Sequence, residues 1–435
     1  MPRSKRRLFR LLAVVCVFLA VRPSHAYSVL THEQVVDLLW KEQLHPMLLA
    51  RFPQATEDQI RAAHAYAYGG CLIQDIGYYP FGNKFFSDLT HYVRSGDFVA
   101  NMLSESEKSG DINQYAFALG ALAHYASDLA GHPAVNRSVA ISFPKLRAKF
   151  GDIVTYEDSH SAHIRTEFGF DVAQVARDRF TSQAFHDFIG FEVSRPLLER
   201  AFAVTYGIPL EDAFPNFDLA IGTFRYSVSR LIPRATRIAI TLKKDEIPPE
   251  DPTQPHQIET RERFIYHLSR SQYRRDFGTQ YKGPTFADRL LALLISILPK
   301  IGPLKSLDVK MPTQATENLY MQSVNDSRDQ YLNDLQKAAT DALTLDNRDF
   351  DTGHETKAGE YALTDETYAE LLAKLAQHKF AELTPALQTN ILTFYRNAQP
   401  PAFAAKSPRR WKETLGYIAQ LQTLAPQTNA VAGTQ

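Results

Sequence analysis

Apolar residues recur every three or four positions along most of the chain, the spacing that places them on one face of an α-helix. Four segments show this pattern most clearly: 35–40, 115–129, 219–242 and 365–375. Thr31 is predicted to cap the first helix, and Gly131 and Pro133 are predicted to end the second. Alternating apolar and polar runs, which are typical of strands, are scarce. The pattern therefore predicts an all-α, multi-helix fold.

The densest group of prolines is predicted to divide the chain in two. Residues 246–256 contain four prolines, which cannot continue a helix, and are predicted to be a linker. The linker would separate a domain of residues 27–245 from a helical C-terminal region of residues 257–435, whose role the sequence does not indicate. In that region, residues 349–359 are predicted to form a long loop. The apolar segment 290–298 is too short to span a bilayer and is predicted to be a buried helix, with interfacial membrane contact as the alternative.

The first residues of the chain have the parts of a secretory signal peptide. A basic start is followed by the apolar residues 11–21, and Ser24 and Ala26 supply the small residues that signal peptidase requires. The apolar part is too short for a membrane-spanning helix. We therefore expect cleavage after Ala26, a mature chain that begins at Tyr27, and a secreted or periplasmic protein.

Charge and cysteine content narrow the possible functions. The chain has 48 basic and 48 acidic residues, but six of the basic residues and none of the acidic ones lie within residues 1–26. The mature chain would carry a net charge of about −6, which disfavours a general nucleic-acid binder. Of the two cysteines only Cys71 would remain, so no intramolecular disulfide is expected.

Histidines and acidic residues at helical spacing form a candidate metal site. His124, Asp128 and His132 are four residues apart in an apolar segment, so they share one face of the predicted helix. A buried carboxylate beside two imidazoles requires compensation, which a bound cation provides, and this ligand chemistry suits zinc. His163 and Glu167 repeat the spacing, although such a pair is common on solvated helices.

A resemblance at the start of the mature chain connects these residues with two others, Asp75 and His91. Both of these lie at predicted helix starts or loops. The step from Tyr27 to His32 resembles the zinc-dependent phospholipase C and S1/P1-type nuclease superfamily, in which the first mature residue binds zinc through its amino and carbonyl groups. The family order of ligands is matched at nine positions: Tyr27, His32, Asp75, His91, His124, Asp128, His132, His163 and Glu167. The sequence around His32 and Asp75 is most similar to the bacterial phospholipase C/D-type branch.

The resemblance implies a cluster of about three zinc ions. The implied ligand sets are Asp75, His91, His124 and Asp128 for one ion, Tyr27, His32 and Asp128 for a second, and His132, His163 and Glu167 for a third. Asp128 would therefore bridge two ions. The resemblance also makes Asp75 a candidate catalytic residue that orients the attacking water.

These features predict a secreted zinc-dependent hydrolase of phosphoric diester bonds, most similar to a phospholipase C. Its expected partner is a phospholipid or a membrane surface, with no obligate protein partner. The aromatic residues Tyr78, Tyr79 and Phe81 are candidates for lining the substrate-binding mouth.

Three alternatives stay open. One is an S1/P1-type single-strand nuclease, and only in that case is nucleic acid an expected partner. Another is a non-catalytic zinc- or lipid-binding module. The doublet His186-Asp187 also permits an all-helical metal phosphohydrolase of another type, although such enzymes leave the free N-terminus without a role.

Overall fold

The computed structural model describes residues 29–176, 191–247, 309–396 and 399–424. Within these ranges the regular structure is helical and contains no strand, and a single isolated bridge pairs Arg348 with Glu355. The all-α fold expected from the apolar spacing is confirmed. Several features predicted from sequence lie outside the described residues: the signal peptide, Tyr27, the doublet His186-Asp187, the segment 290–298 and residues 248–256 of the linker.

The α-helices are numbered here in chain order. They are α1 (Val29–Leu39), α2 (His45–Arg51), α3 (Glu57–Ile73), α4 (Lys84–Tyr92), α5 (Ser95–Ser109), α6 (Ile112–Ser142), α7 (Pro144–Phe150), α8 (His160–Ala176), α9 (Arg195–Tyr206), α10 (Phe217–Tyr226), α11 (Ile232–Lys243), α12 (Gln314–Ala338), α13 (Ala362–Gln377), α14 (Pro385–Tyr395), α15 (Ala402–Lys406) and α16 (Pro408–Thr423). Short π-helical turns at Trp40–Leu44 and Ser227–Leu231 continue α1 and α10, and a 3₁₀ turn at Ile76–Tyr78 precedes α4.

All four predicted helical segments are helical, but two of the predicted helix ends are wrong. Thr31 lies inside α1, where its hydroxyl donates to Oδ1 of Asp171 at 2.7 Å instead of capping the helix. Helix α6 continues through Gly131 and Pro133 to Ser142. The reason is tertiary: residues beyond the proline, such as Val139, are buried against α12, and this burial outweighs the single backbone hydrogen bond that proline removes.

Helix α6 is central, with α3 and α12 packed along it. Two glycines allow α3 and α6 to approach until their backbones touch. A Cβ atom added to Gly120 would lie 1.9 Å from the carbonyl oxygen of Ala67, and one added to Gly70 would lie 1.9 Å from that of Phe117. Any side chain at either position would force the helices apart. The two glycines therefore fix the spacing between helices that carry and support the candidate ligands.

The C-terminal residues pack on the same core as the N-terminal helices. Tyr331, Phe350 and Leu371 belong to one buried apolar cluster together with Leu72 and Phe117. The predicted loop at 349–359 is confirmed, since this segment contains turns and no helix. The predicted division into domains stays a prediction. Among the described residues, no helix combines the length and the hydrophobicity that crossing a bilayer requires.

Candidate metal centre

Helix α6 presents His124, Asp128 and His132 on one face, one turn apart, as their spacing predicts. All three side chains are fully buried. Their burial in a helix that is otherwise lined by alanine and leucine has a desolvation cost, which must be offset by partners within the site.

The other predicted ligands within the described residues come from four further places in the chain. His32 lies on α1, His91 near the end of α4, and Asp75 at the start of the 3₁₀ turn, while His163 and Glu167 lie on α8. These side chains join those of α6 in three groups, and within each group the candidate ligand atoms lie within 4.8 Å of one another. The groups are His32, His124 and Asp128; Asp75, His91 and His124; and His132, His163 and Glu167. His91 was expected near a helix start and instead lies near a helix end.

The carboxylate of Asp128 lies at the centre of the first two groups. It is surrounded by four imidazoles, with Nε2–oxygen distances of 3.5 Å to His32, 3.3 Å to His91, 3.2 Å to His124 and 3.5 Å to His132. Oδ1 faces His32, and Oδ2 faces the other three rings. A carboxylate whose two oxygens face different groups of ligands is suited to bridging two cations.

Backbone carbonyl groups fix the orientation of two of these rings. Nδ1 of His124 donates to the carbonyl oxygen of Cys71 on α3 at 2.9 Å, and Nδ1 of His91 donates to that of Ser87 at 2.7 Å. Because a carbonyl oxygen only accepts, Nδ1 carries the proton and the Nε2 lone pair of each neutral ring faces Asp128. The close packing of α3 on α6 is what brings the Cys71 carbonyl within reach of His124.

The atoms that face the centre fit a metal ion. Nε2 of His91, Nε2 of His124 and both oxygens of Asp128 are buried, and none of them makes a hydrogen bond within the described part of the chain. Buried acceptor atoms that converge in this way require a donor or a cation. Imidazole nitrogen and carboxylate oxygen are ligands that zinc accepts, so the residues present fit zinc.

The electrostatics of these side chains also favour positive charge at this point. Burial by itself disfavours the imidazolium form of His91, but the close contacts of the negatively charged Asp128 and Asp75 outweigh it and raise the pKa of His91 to about 10. The same balance raises the pKa of His124. For Asp128, burial raises the pKa, but His124 and the neighbouring rings lower it well below its ordinary value. Asp128 thus retains its negative charge, which favours a cation at this point.

The third group lies between α6 and α8. His163 and Glu167 are one turn apart on α8, both buried, with 2.7 Å between Nε2 and Oε1. The ring of His132 lies 5.4 Å from that of His163, and the ring of Tyr156 meets His163 edge-on at 5.6 Å. A group of three protein ligands leaves a coordination position open, which is typical of catalytic rather than structural zinc.

Asp75, the candidate for orienting water, lies directly beside the ligand rings. Its Oδ1 is 3.4 Å from Nε2 of His91, and its side chain is fully buried. Tyr78 follows it on the 3₁₀ turn, where its ring meets His91 edge-on at 5.6 Å and its hydroxyl donates to Asp88 at 3.3 Å. The placement of Tyr78 next to a ligand ring is compatible with its predicted role at the mouth of the site.

The other two aromatic candidates lie in different environments. Tyr79 is buried, and its ring packs on Phe224 at 4.6 Å within the apolar core, so its placement gives no support to a role in lining the mouth. Phe81 is 66% exposed and has a left-handed backbone with φ of 63°. Burial of an aromatic ring in the core competes with its use in a binding surface, and only the structure distinguishes the two.

Two residues at the site were missed in the sequence. The ring of Phe350 lies 5.4 Å from that of His91 and 6.2 Å from that of His124. Asp351 lies beside His132. Both belong to the loop between α12 and α13, and no spacing rule connects a loop more than 200 residues away to a ligand on α6.

An all-helical fold that buries imidazoles and carboxylates in converging groups defines a metal-binding protein with ligands suited to zinc. Residues 31–216 match the family model described as zinc dependent phospholipase C. This match confirms the predicted resemblance to the zinc-dependent phospholipase C family, a family of hydrolases, over this part of the chain. The match contains the predicted ligands from His32 to Glu167 and ends before the loop that carries Asp351. No curated protein and no solved structure matches the chain significantly.

Proposed function

We propose that the protein is an exported, zinc-dependent phosphodiester hydrolase of the phospholipase C type that holds about three zinc ions. One observation carries the proposal: His32, His91 and His124 converge on the carboxylate of Asp128 inside the region that matches the family. The three ligand groups support the proposed number of ions, and the amino terminus at Tyr27 is proposed to complete the group around His32.

Zinc in such a site supplies Lewis-acid polarisation of a phosphodiester and lowers the pKa of a coordinated water. The protein must hold its ligands in a fixed geometry, and the Nδ1 bonds of His91 and His124 do so by presenting Nε2 inward. Asp128 contacts both ligand groups, through Oδ1 to His32 and through Oδ2 to His91. Asp75 is proposed to accept a hydrogen bond from the attacking water and to orient it, since its carboxylate is buried at the edge of the group.

The surroundings of the ligand rings limit access of bulk water. The ring of Phe350 covers His91 and His124 from the side of the C-terminal region, and Tyr78 meets His91 from another direction. Exclusion of water strengthens the interaction between fixed charges and the charge that develops on a phosphodiester.

Phospholipid is proposed as the substrate on the basis of the family and of one exposed aromatic side chain, that of Phe81. Phe81 follows Asp75 by six residues and exposes two thirds of its surface, so an apolar side chain is available to meet a lipid interface. The mature chain would be mildly acidic, whereas a nuclease profits from a basic groove with aromatic stacking platforms. Export is proposed from the signal-peptide pattern of residues 1–26.

The proposal is tested with purified protein that begins at Tyr27. Vesicles of phosphatidylcholine and single-stranded DNA are offered separately, before chelation, after chelation, and after zinc is restored. We expect zinc-dependent release of phosphocholine and a diacylglycerol, and no release by an Asp128→Ala variant. Digestion of DNA with inert vesicles would instead establish the nuclease alternative. Zinc binding without turnover of either substrate would favour the non-catalytic module.

A further inference from the structure

Asp351 is a buried carboxylate in direct contact with a candidate zinc ligand. Its Oδ1 lies 3.3 Å from Nδ1 of His132, and its side chain is 1% exposed. The other ring nitrogen of His132, Nε2, faces Asp128 at 3.5 Å. Nδ1 of His132 and Oδ1 of Asp351 are both buried, and among the residues described neither atom has a hydrogen-bond partner, so each is the nearest polar group with which the other could pair. Asp351 therefore lies beside one ring nitrogen of His132, while the other nitrogen is directed at Asp128.

The second oxygen of Asp351 is held by two tyrosines. Oδ2 accepts from the hydroxyl of Tyr92 at 2.9 Å and from that of Tyr361 at 2.5 Å. Burial, together with the charge of Asp351, raises the pKa of both tyrosines, so their hydroxyls remain protonated donors. With Oδ2 engaged, the carboxylate has a fixed orientation in which Oδ1 is directed at His132.

The backbone around Asp351 is tied to the helices that carry ligands. The backbone N–H of Phe350 donates to the carbonyl oxygen of His91 at 3.1 Å. Nδ2 of Asn136, one turn after His132 on α6, donates to the carbonyl oxygen of Asp351 at 2.7 Å. The loop is thus anchored on both sides of the acidic side chain, and its position relative to His132 is set by α4 and α6.

We propose that Asp351 is a positioning residue that fixes His132 for zinc, and that the C-terminal region completes the metal site through it. The inference rests on the proposed function and deepens it. His91 and His124 are oriented by neutral carbonyl groups, whereas His132 faces a carboxylate. A carboxylate that accepts from one nitrogen of an imidazole fixes the tautomer and makes the other nitrogen a stronger zinc ligand.

The test compares Asp351→Asn with Asp349→Asn in the full mature protein. Asparagine keeps the shape of the side chain but removes its charge. Asp349 is a matched control because it is buried in the same loop, and its oxygens accept from Thr364 and from the backbone of Thr352. Burial and the nearby charge of Asp351 raise the pKa of Asp349, which favours its neutral form, and asparagine resembles that form.

Two readouts do not depend on activity: zinc retained per chain against graded concentrations of chelator, and the rise in melting temperature when zinc is added to chelated protein. For Asp351→Asn we expect one zinc ion to be held roughly 10–100-fold more weakly, with a smaller zinc-induced rise, and the remaining ions unchanged. Asp349→Asn should match wild type. Equal zinc retention by wild type and Asp351→Asn would overturn the inference.

A third variant covers the case in which Asp351→Asn does not fold. Tyr361→Phe removes one hydrogen bond from Oδ2 of Asp351 and leaves the carboxylate in place. It should weaken the binding of the same zinc ion by a smaller factor than Asp351→Asn does. Unchanged zinc retention would overturn the inference. Failure of the proposed function is distinguishable, because wild-type protein would then bind no zinc or hydrolyse no phosphodiester. If the wild-type protein binds its full zinc and is active, and Asp351→Asn retains zinc equally well, only the positioning role is overturned.

Discussion

The contact between α3 and α6 makes a quantitative prediction at Gly120. In a Gly120→Ala variant the new Cβ would lie 1.9 Å from the carbonyl oxygen of Ala67, whereas ordinary contacts begin at 3.4 Å. The helices must therefore separate locally by roughly 1.5 Å. Even half of that displacement would stretch the bond from His124 to the Cys71 carbonyl from 2.9 Å to roughly 3.6 Å, beyond hydrogen-bonding distance.

The expected cost combines overpacking with the loss of that bond. Forcing an extra carbon into a packed core costs about 1–3 kcal/mol, and the hydrogen bond contributes about 1 kcal/mol, so the free energy of unfolding should fall by about 2–4 kcal/mol. Zinc affinity should fall as well, because His124 loses the group that orients its ring. Denaturant unfolding of chelated protein measures the first effect, and zinc retention against a competing chelator measures the second.

Gly222 supplies the matched control for this prediction. It lies within α10, and a Cβ atom added there would meet no atom within 4 Å. Gly222→Ala should therefore raise the free energy of unfolding by roughly 0.5–1 kcal/mol, the usual gain when a helical glycine is replaced, and leave zinc retention unchanged. If Gly120→Ala unfolds at the same denaturant concentration as wild type and keeps its zinc, the helix contact does not control the site and the reasoning is wrong.

Three further predictions concern the ligands themselves. Asp128→Ala should lower the rate of phosphodiester hydrolysis more than His91→Ala does, because it removes the proposed bridge between two ions. The loss should exceed the roughly 10–100-fold that is typical of residues that only support a ligand, and a near-normal rate would refute the bridge. A protein with one extra methionine ahead of Tyr27 should stay folded but lose one zinc and most activity, and equal activity would exclude the amino terminus as a ligand. In the folded protein the pKa of His91 is raised from its ordinary value of 6.5 to about 10, so protonation of His91 stabilises the fold fully below pH 6.5. This contribution is lost as the pH rises to about 10, and the free energy of unfolding of chelated protein should fall over that range. Denaturant unfolding at several pH values checks this slope, which should be smaller in His91→Gln.

The part of the site that the sequence predicts is the part governed by local geometry. His124, Asp128 and His132 were identifiable because an α-helix places residues four apart on one face, and α6 does so. Asp75 and His91 lack such spacing and were identified only through the resemblance to a known family. In the structure they lie 3.4 Å apart across the end of α4, a contact that depends on the turn between them.

The features that sequence reasoning missed are set by tertiary contacts. Thr31 is a good cap in isolation, but a buried aspartate on α8 competes for its hydroxyl. A proline usually ends a helix, yet α6 continues past Pro133 because the residues that follow are buried against α12. Asp351 lies in a loop whose amino-acid sequence carries no metal-binding spacing, and its role depends on the approach of α6, α4 and the start of α13 in space.

Zinc content is the measurement that tests the central claim most directly. Elemental analysis of dialysed protein that begins at Tyr27 should give about three zinc ions per chain, one for each of the three proposed sites. An Asp128→Ala protein prepared in parallel should give at least one fewer. One zinc ion or none in the wild-type protein would contradict the proposed cluster.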